Sequence, residues 1–233
     1  MISSSKIDIF NKKGYFVIKN FLTKKEKREF SETLIKTYSN VLSEKLDEKS
    51  IHKIISQYEK NLRYDELYKA FKKYCSNQVY FQFSKRLTSL SKKIYKNKKF
   101  KVVNTGLAIG IKNSNRTSYK WHQEKPYYKD LETIHFQFPV IGSCSKKNGT
   151  MSVLEGSHQV GFQKKVNNFK KHEKAINSFI PKNIKKFEKL FREKFVNLGQ
   201  RDLVVFSQYL IHKTNKNSSD KVRFAANIRL KIS

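Results

Sequence analysis

Cysteine is scarce in this chain, with only Cys75 and Cys144 in 233 residues. That excludes a disulfide framework and a structural zinc site built on several thiolates. No window approaches eighteen consecutive apolar residues, so a membrane-spanning helix is excluded. The first residues, MISSSKIDIFNKKGYF, lack the apolar stretch of a secretory signal. A soluble protein of the reducing cytoplasm is therefore expected. Internal repeats and low-complexity tails are absent. Tryptophan occurs once, so the aromatic filling falls to 18 Phe and 12 Tyr.

Acidic residues are also few, 19 against 50 Lys and Arg, which leaves a formal charge of +31. Such an excess raises the question of nucleic acid. The lysines are spread along the whole chain, however, and no helix-turn-helix, zinc-finger or RNA-recognition signature accompanies them. The densest basic stretch, Ser84 to Lys101, reads equally as a solvated helix face followed by a turn. A basic nucleic-acid-binding protein stands as an alternative, with nucleic acid disfavoured as the main partner.

The length suits one domain with a helical flank. Gly14 to Ile18 reads as a strand. Thr23-Lys24-Lys25-Glu26 is a capping-box pattern, and Phe30, Leu34, Tyr38 and Leu42 follow at helical spacing, which predicts a helix over about 24–42. Residues 44–96 carry apolar positions every three or four residues, as two or three amphipathic helices would. From about residue 100 the texture becomes strand-like, over 102–111, 133–140, 150–154, 202–206 and 221–230. Gly106 and Gly110 lie where a backbone or ligand approaches closely. A Lys-rich insertion over about 163–197 has Ile184, Phe187, Leu190, Phe191 and Phe195 at helical spacing. In the last strand Val222, Phe224, Ala226, Ile228 and Leu230 share one face. Arg223, Ala225 and Asn227 share the other, as in a strand that lines a pocket.

The chemistry concentrates in His122-Gln123-Glu124, answered by His212 and then by Arg223 eleven residues on. Two histidines and a carboxylate form a facial triad, which holds Fe(II) and leaves coordination positions open. In an extended segment residues i and i+2 point to one face, so His122 and Glu124 can reach one metal. Alone, a His-x-Glu triplet is weak evidence. The flanking Trp121 and Pro126-Tyr127-Tyr128, and the apolar run that His212 ends, supply strand-end context. Arg223 offers a planar fork suited to a carboxylate.

The order of these signals resembles the phytanoyl-CoA dioxygenase family of Fe(II)- and 2-oxoglutarate-dependent oxygenases, over nearly the whole chain. The segments that carry it are GYFVIKNFLTKKE, WHQEKPYY, KKNGTMSVLEGSHQVG and DLVVFSQYLIHKTNKNSSDKVRFAANIRL. The resemblance implies a mostly β, α+β fold with a double-stranded β-helix (jelly-roll) core and a helical N-terminal flank over about 20–98. The core would run over about 100–233. It implies iron ligation by His122, Glu124 and His212, and pairing of Arg223 and Thr214 with the far carboxylate of 2-oxoglutarate. Asn104, Gln137 and Tyr119 are further candidate contacts to cosubstrate or substrate. The implied reaction consumes O₂ and 2-oxoglutarate, hydroxylates a small molecule and releases succinate and CO₂. A basic pocket would suit an anionic substrate, with Lys125 a candidate contact.

There are departures. Glu124 stands where the family usually has Asp; a carboxylate there argues for hydroxylation over halogenation. Lys146-Lys147 precede the Asn-Gly turn where an acid is frequent, and Gly199-Gln200-Arg201-Asp202 replaces a Gly-Asp pair. His158 reads as a structural hydrogen-bonding residue, and His52 and His172 as surface residues. His135 shares a face with Gln137 and could look into the barrel or out to solvent. A non-redox metal-binding jelly roll is the other alternative. The substrate and the oligomeric state lie beyond the sequence.

Overall fold

The computed structural model describes residues 3–128, 130–164 and 180–233. Helix α1 (Ser4–Lys13) leads into strand β1 (Tyr15–Ile18) through Gly14, whose φ of 81° closes the helix in the left-handed conformation. Helix α2 (Lys24–Leu42) starts at the expected capping box. The Thr23 hydroxyl accepts from the Glu26 backbone N–H at 3.1 Å, and the Glu26 carboxylate accepts from the Thr23 N–H at 2.8 Å. Helices α3 (Ser50–Lys60), α4 (Tyr64–Cys75) and α5 (Val79–Ile94) follow. The remaining elements are β2 (Phe100–Gly110), the one-turn α6 (Lys125–Tyr128), β3 (Glu132–Ile141), β4 (Met151–Leu154), a 3₁₀ turn (Ser157–Val160), α7 (Ile184–Leu190), β5 (Glu193–Phe195), β6 (Leu203–Ser207), β7 (His212–Thr214) and β8 (Arg223–Ile232).

The strands form two antiparallel sheets. The larger runs β1-β6-β3-β8-β2 and the smaller β5-β4-β7. Period-two alternation decides what each face of the larger sheet meets. Leu203 and Val205 of β6, Ile134, Phe136, Phe138 and Val140 of β3, and Phe224, Ala226, Ile228 and Leu230 of β8 are all sequestered on the helical side. There they pack against Phe30, Leu34 and Tyr38 of α2, with Phe30 and Phe138 edge to face at 4.7 Å. The intervening residues face the smaller sheet, where Tyr15, Val204, Phe206 and Ala225 pack against Met151 and Val153. The result is the jelly roll with flanking helices that the resemblance implied.

Two expectations need correction. The helical spacing read through Phe195 stops earlier: α7 ends at Leu190, and Glu193–Phe195 is an edge strand paired with β4. The short α7 covers Trp121, Leu154 and Ile211 with Phe187, and hydrophobic burial there needs only one turn-spaced aromatic. His52 is half-buried against the Phe224 ring at 6.0 Å, so it is no surface residue. Helix α1 carried no strong apolar period, with Phe10 its sole buried residue, and gave the sequence reading nothing to find. Most of the Lys-rich insertion, with His172, lies outside the described residues.

Candidate active site

His122 and His212 face each other across an isolated antiparallel bridge. Each backbone N–H donates to the other's carbonyl, at 2.8 and 3.0 Å. Directly opposed residues of such a pair project to the same side, and the imidazole centroids sit 4.2 Å apart. Each ring is held by the carbonyl two residues before it. His122 Nδ1 contacts the Lys120 oxygen at 2.7 Å and His212 Nδ1 the Leu210 oxygen at 2.9 Å. A carbonyl only accepts, so both Nδ1 atoms carry the proton, and both Nε2 lone pairs are left for a ligand.

Glu124 completes the group. Its Oε1 lies 3.5 Å from His212 Nε2 and 4.0 Å from His122 Nε2. The three donor atoms all fall within 4.8 Å of one another. A metal at about 2.1 Å from ligands at right angles needs donors about 3 Å apart, which small side-chain adjustments supply. Between them Gln123 points the other way. Fully buried, its amide donates to the carbonyls of Gly161 and Tyr209, which locks the alternation that aims His122 and Glu124 together.

Burial alone would raise the Glu124 carboxyl. The Arg229 guanidinium, 3.5 Å away, and the histidines overcome that and hold it well below the usual carboxylate range. Burial, then the neighbouring His212, pushes His122 down to about 4. Near neutral pH, His122 therefore offers a free lone pair and Glu124 a full negative charge, as metal ligation requires. His135 lies behind Glu124, Nδ1 to Oε2 at 3.9 Å, and burial drives it down to about 3. Its Nε2 meets the Thr133 hydroxyl at 2.8 Å. Of its two open orientations the inward one is observed.

The three ligand candidates open on a cavity of about 620 Å³ between the sheets and helices α3 and α4. Thr214, Asn104, Gln137 and Tyr119 all line it. Gln137 donates to Asn227 on the adjacent strand at 2.9 Å. Lys125 does not reach the cavity: its ammonium is occupied by Glu132 at 2.8 Å and the Leu131 carbonyl at 3.1 Å.

Arg223 is placed differently from the other candidates. It lies behind the cavity wall, 2% exposed, and one guanidinium nitrogen donates to the Gly149 carbonyl of the Asn-Gly turn. Its Nε and Nη2 are buried with no partner. Burial lowers its pKa. Gly110, opposite it on β2, makes the space: a Cβ there would sit 3.1 Å from the Arg223 Nε. A buried cation with orphaned donors is costly unless an anion arrives, so the donor set fits a carboxylate. Arg229 was missed by the sequence reading. It continues the series 223, 225, 227 by one more alternate position, lines the cavity and contacts Glu124. Extending the alternation by two residues would have found it.

His158 stands apart from the cavity. Its Nε2 meets the Asn11 carbonyl at 3.0 Å, and its ring fills the space beside Gly14, so it fastens the 3₁₀ turn to α1.

The phytanoyl-CoA dioxygenase (PhyH) family matches residues 10–225. The chain belongs to this family. No functionally curated protein matches it by sequence. Among solved structures it is similar to the epimerase SnoN in complex with Fe3+, alpha ketoglutarate and nogalamycin RO, at 10% identity and a TM-score of 0.66, covering 97% of this chain and 82% of that one. The alpha ketoglutarate dependent carbocyclase SnoK from nogalamycin biosynthesis gives 12% identity, a TM-score of 0.66 and coverage of 99% and 84%. EctD from S. alaskensis in its apoform gives 14% identity, a TM-score of 0.66 and coverage of 99% and 77%. At such identities the likeness establishes the fold.

Proposed function

We propose that this PhyH-family enzyme is an Fe(II)- and 2-oxoglutarate-dependent dioxygenase that hydroxylates a small molecule bound between its sheets. One observation carries the reading: a His-Glu-His donor set lines the cavity, and strand β8 at its wall carries a buried arginine whose Nε and Nη2 have no partner. When bound, iron and 2-oxoglutarate supply the oxidation of an unactivated C–H bond by O₂, with succinate and CO₂ as by-products.

The chain's own residues do the rest. His122, Glu124 and His212 would hold the metal at the cavity wall. Arg223 takes the far carboxylate of 2-oxoglutarate, and the Thr214 hydroxyl, two residues beyond His212, hydrogen-bonds to it. Gln137, Asn227 and Asn104 offer amide groups along the same wall. Tyr64, Tyr68, Tyr119 and Phe71 enclose the substrate and exclude water. We treat residues 1–233 as one catalytic domain, a reading supported by the continuous core between helices and larger sheet. A cytoplasmic setting suits the unpaired Cys75 and Cys144. Among the described residues no helix is long and apolar enough to cross a membrane.

Anaerobic titration of the apoprotein with Fe(II) and 2-oxoglutarate tests the proposal. The visible charge-transfer band of the iron chelate is expected in wild type and absent in His212→Ala. A wild-type protein that gives no band with millimolar 2-oxoglutarate would return the site to a non-redox metal centre.

A further inference from the structure

Strand β8 carries an arginine at each end of its cavity-side face, six residues apart, or about 20 Å of extended chain. Arg223 is on the side of the Asn-Gly turn, whereas Arg229 is on the side of Glu124 and His135. One arginine suffices for the far carboxylate of 2-oxoglutarate, so the second needs its own explanation.

Arg229 occupies a prepared place. It pairs with Asn104 across the β2–β8 ladder. Gly106 of β2 leaves room for its head, since a Cβ there would lie 3.2 Å from Nη1. The side chain is 16% exposed, and its Nε is buried without a hydrogen-bond partner. Glu124 is its ion-pair partner, at 3.5 Å. Once Glu124 shares its charge with a divalent metal, that partnership weakens, and a guanidinium in a low-dielectric cavity faces a cation instead. The other carboxylate on the cavity wall, Glu59, already accepts the Ser114 hydroxyl at 2.6 Å. The wall opposite is aromatic and apolar, with Tyr64, Leu67, Tyr68 and Phe71.

We infer that Arg229 is the substrate-binding residue, and that the substrate is an amphiphilic anion whose oxyacid group (carboxylate, sulfonate or phosphate-like) pairs with Arg229 while its apolar body lies against the tyrosines. The inference rests on the oxygenase reading. A group held by Arg229 would lie beside Glu124, so the carbons nearest that group would be those nearest a metal held by the triad, and the reaction would fall close to the anionic end.

The test uses the full chain with Zn(II) in place of iron and saturating 2-oxoglutarate, which fills the Arg223 site. Phenylacetate, phenylmethanesulfonate and benzylphosphonate are titrated against uncharged phenylacetamide by saturation-transfer NMR. In wild type, at least one acid should bind tenfold or more tightly than the amide. Arg229→Leu should erase that preference, and Arg229→Lys should restore part of it. Arg229→Lys keeps the positive charge beside Glu124, so its Fe(II)–2-oxoglutarate band should form with an affinity within about threefold of wild type. The inference is overturned if no acid binds in the millimolar range, if acid and amide bind alike, or if Arg229→Leu keeps the preference. It is equally overturned if Arg229→Lys, which keeps that charge, loses the iron chelate, because the guanidinium would then be a positioning group for Glu124. Failure of wild type to form the chelate is a separate result; it removes the oxygenase reading and this inference with it.

Discussion

The two faces of β8 share one backbone and differ in what they ask of it. On the helical side Phe224, Ala226, Ile228 and Leu230 have no exposed surface and belong to the main apolar core. On the cavity side Arg223, Ala225, Asn227 and Arg229 include two guanidinium groups with unpartnered buried nitrogens. The first face lowers the free energy of the fold through apolar burial. The second raises it, a cost that a bound ligand would offset under the proposed function. Stability and function are thus separated by one residue along the strand, and substitutions on the two faces should have separable consequences.

The largest effect is expected on the helical side. Phe138 lies between Phe30 at 4.7 Å and Phe83 at 5.1 Å. Phe138→Ala should cost about 3–5 kcal/mol in denaturant unfolding through lost burial and the cavity left behind. The folded fraction should bind Fe(II) and 2-oxoglutarate as wild type does. A variant that unfolds normally but loses the chelate would show that the faces are coupled.

A smaller effect, opposite in origin, comes from the cavity side of β3. Burial lowers His135 from 6.5 to about 3. The unfolded chain takes up that proton below about 6.5 and the folded chain does not, so stability is full above this pH and is lost as pH falls towards 3. His122 adds to the loss between 6.5 and about 4. In the apoprotein, His135→Gln should flatten the fall of the unfolding free energy with acid, by on the order of 1.4 kcal/mol for each pH unit below 6.5. An unchanged slope would place the acid sensitivity elsewhere.

How much of this could be read beforehand follows from the same contrast. The helical face was legible because hydrophobic alternation at 222–230 and helical spacing at Phe30, Leu34 and Tyr38 are statements about burial, which sequence records directly. The triad was legible because His122 and Glu124 sit two apart and His212 recurs in a family pattern. Arg229 falls on the cavity face by the same alternation, but that Gly106, two residues along the neighbouring strand from its partner Asn104, clears its place is visible only in the fold. Lys125 misled for a related reason. Proximity to the triad in sequence says nothing about direction, and the one-turn α6 aims its ammonium at Glu132. Helix α1 was silent since a single buried residue makes no period.

The next test sharpens the claim that cavity-side polarity is held for a ligand. Arg223→Met keeps the stem's volume and removes a buried charge whose Nε and Nη2 have no partners. The expected result is at least tenfold weaker 2-oxoglutarate binding, about 1.4 kcal/mol, with no fall in the melting temperature of the apoprotein. A protein that melts lower with unchanged 2-oxoglutarate affinity would make Arg223 a structural strut under the Asn-Gly turn.

The smallest effect is expected away from both faces, where the departure at Gly199-Gln200-Arg201-Asp202 is resolved into a turn. Asp202 folds back to accept the Gly199 N–H at 2.7 Å, and it accepts the Asn20 N–H at 3.0 Å and the Lys19 ammonium at 2.7 Å. These donors overcome burial and hold its carboxyl below the usual range. Its contribution is therefore present above the ordinary carboxylate range and fades as pH falls through the depressed value. Lys19 is largely exposed, so solvent screens that pair and the backbone contacts dominate. Asp202→Asn keeps an acceptor but loses the charge, and should cost about 1 kcal/mol at neutral pH by calorimetry or denaturant. Because the turn joins β1 to β6 without touching the cavity, chelate formation and the anion preference should both stay at wild-type values. A shift in either would mean that the register of the larger sheet is transmitted to the triad, and that the two faces of β8 are not energetically separate.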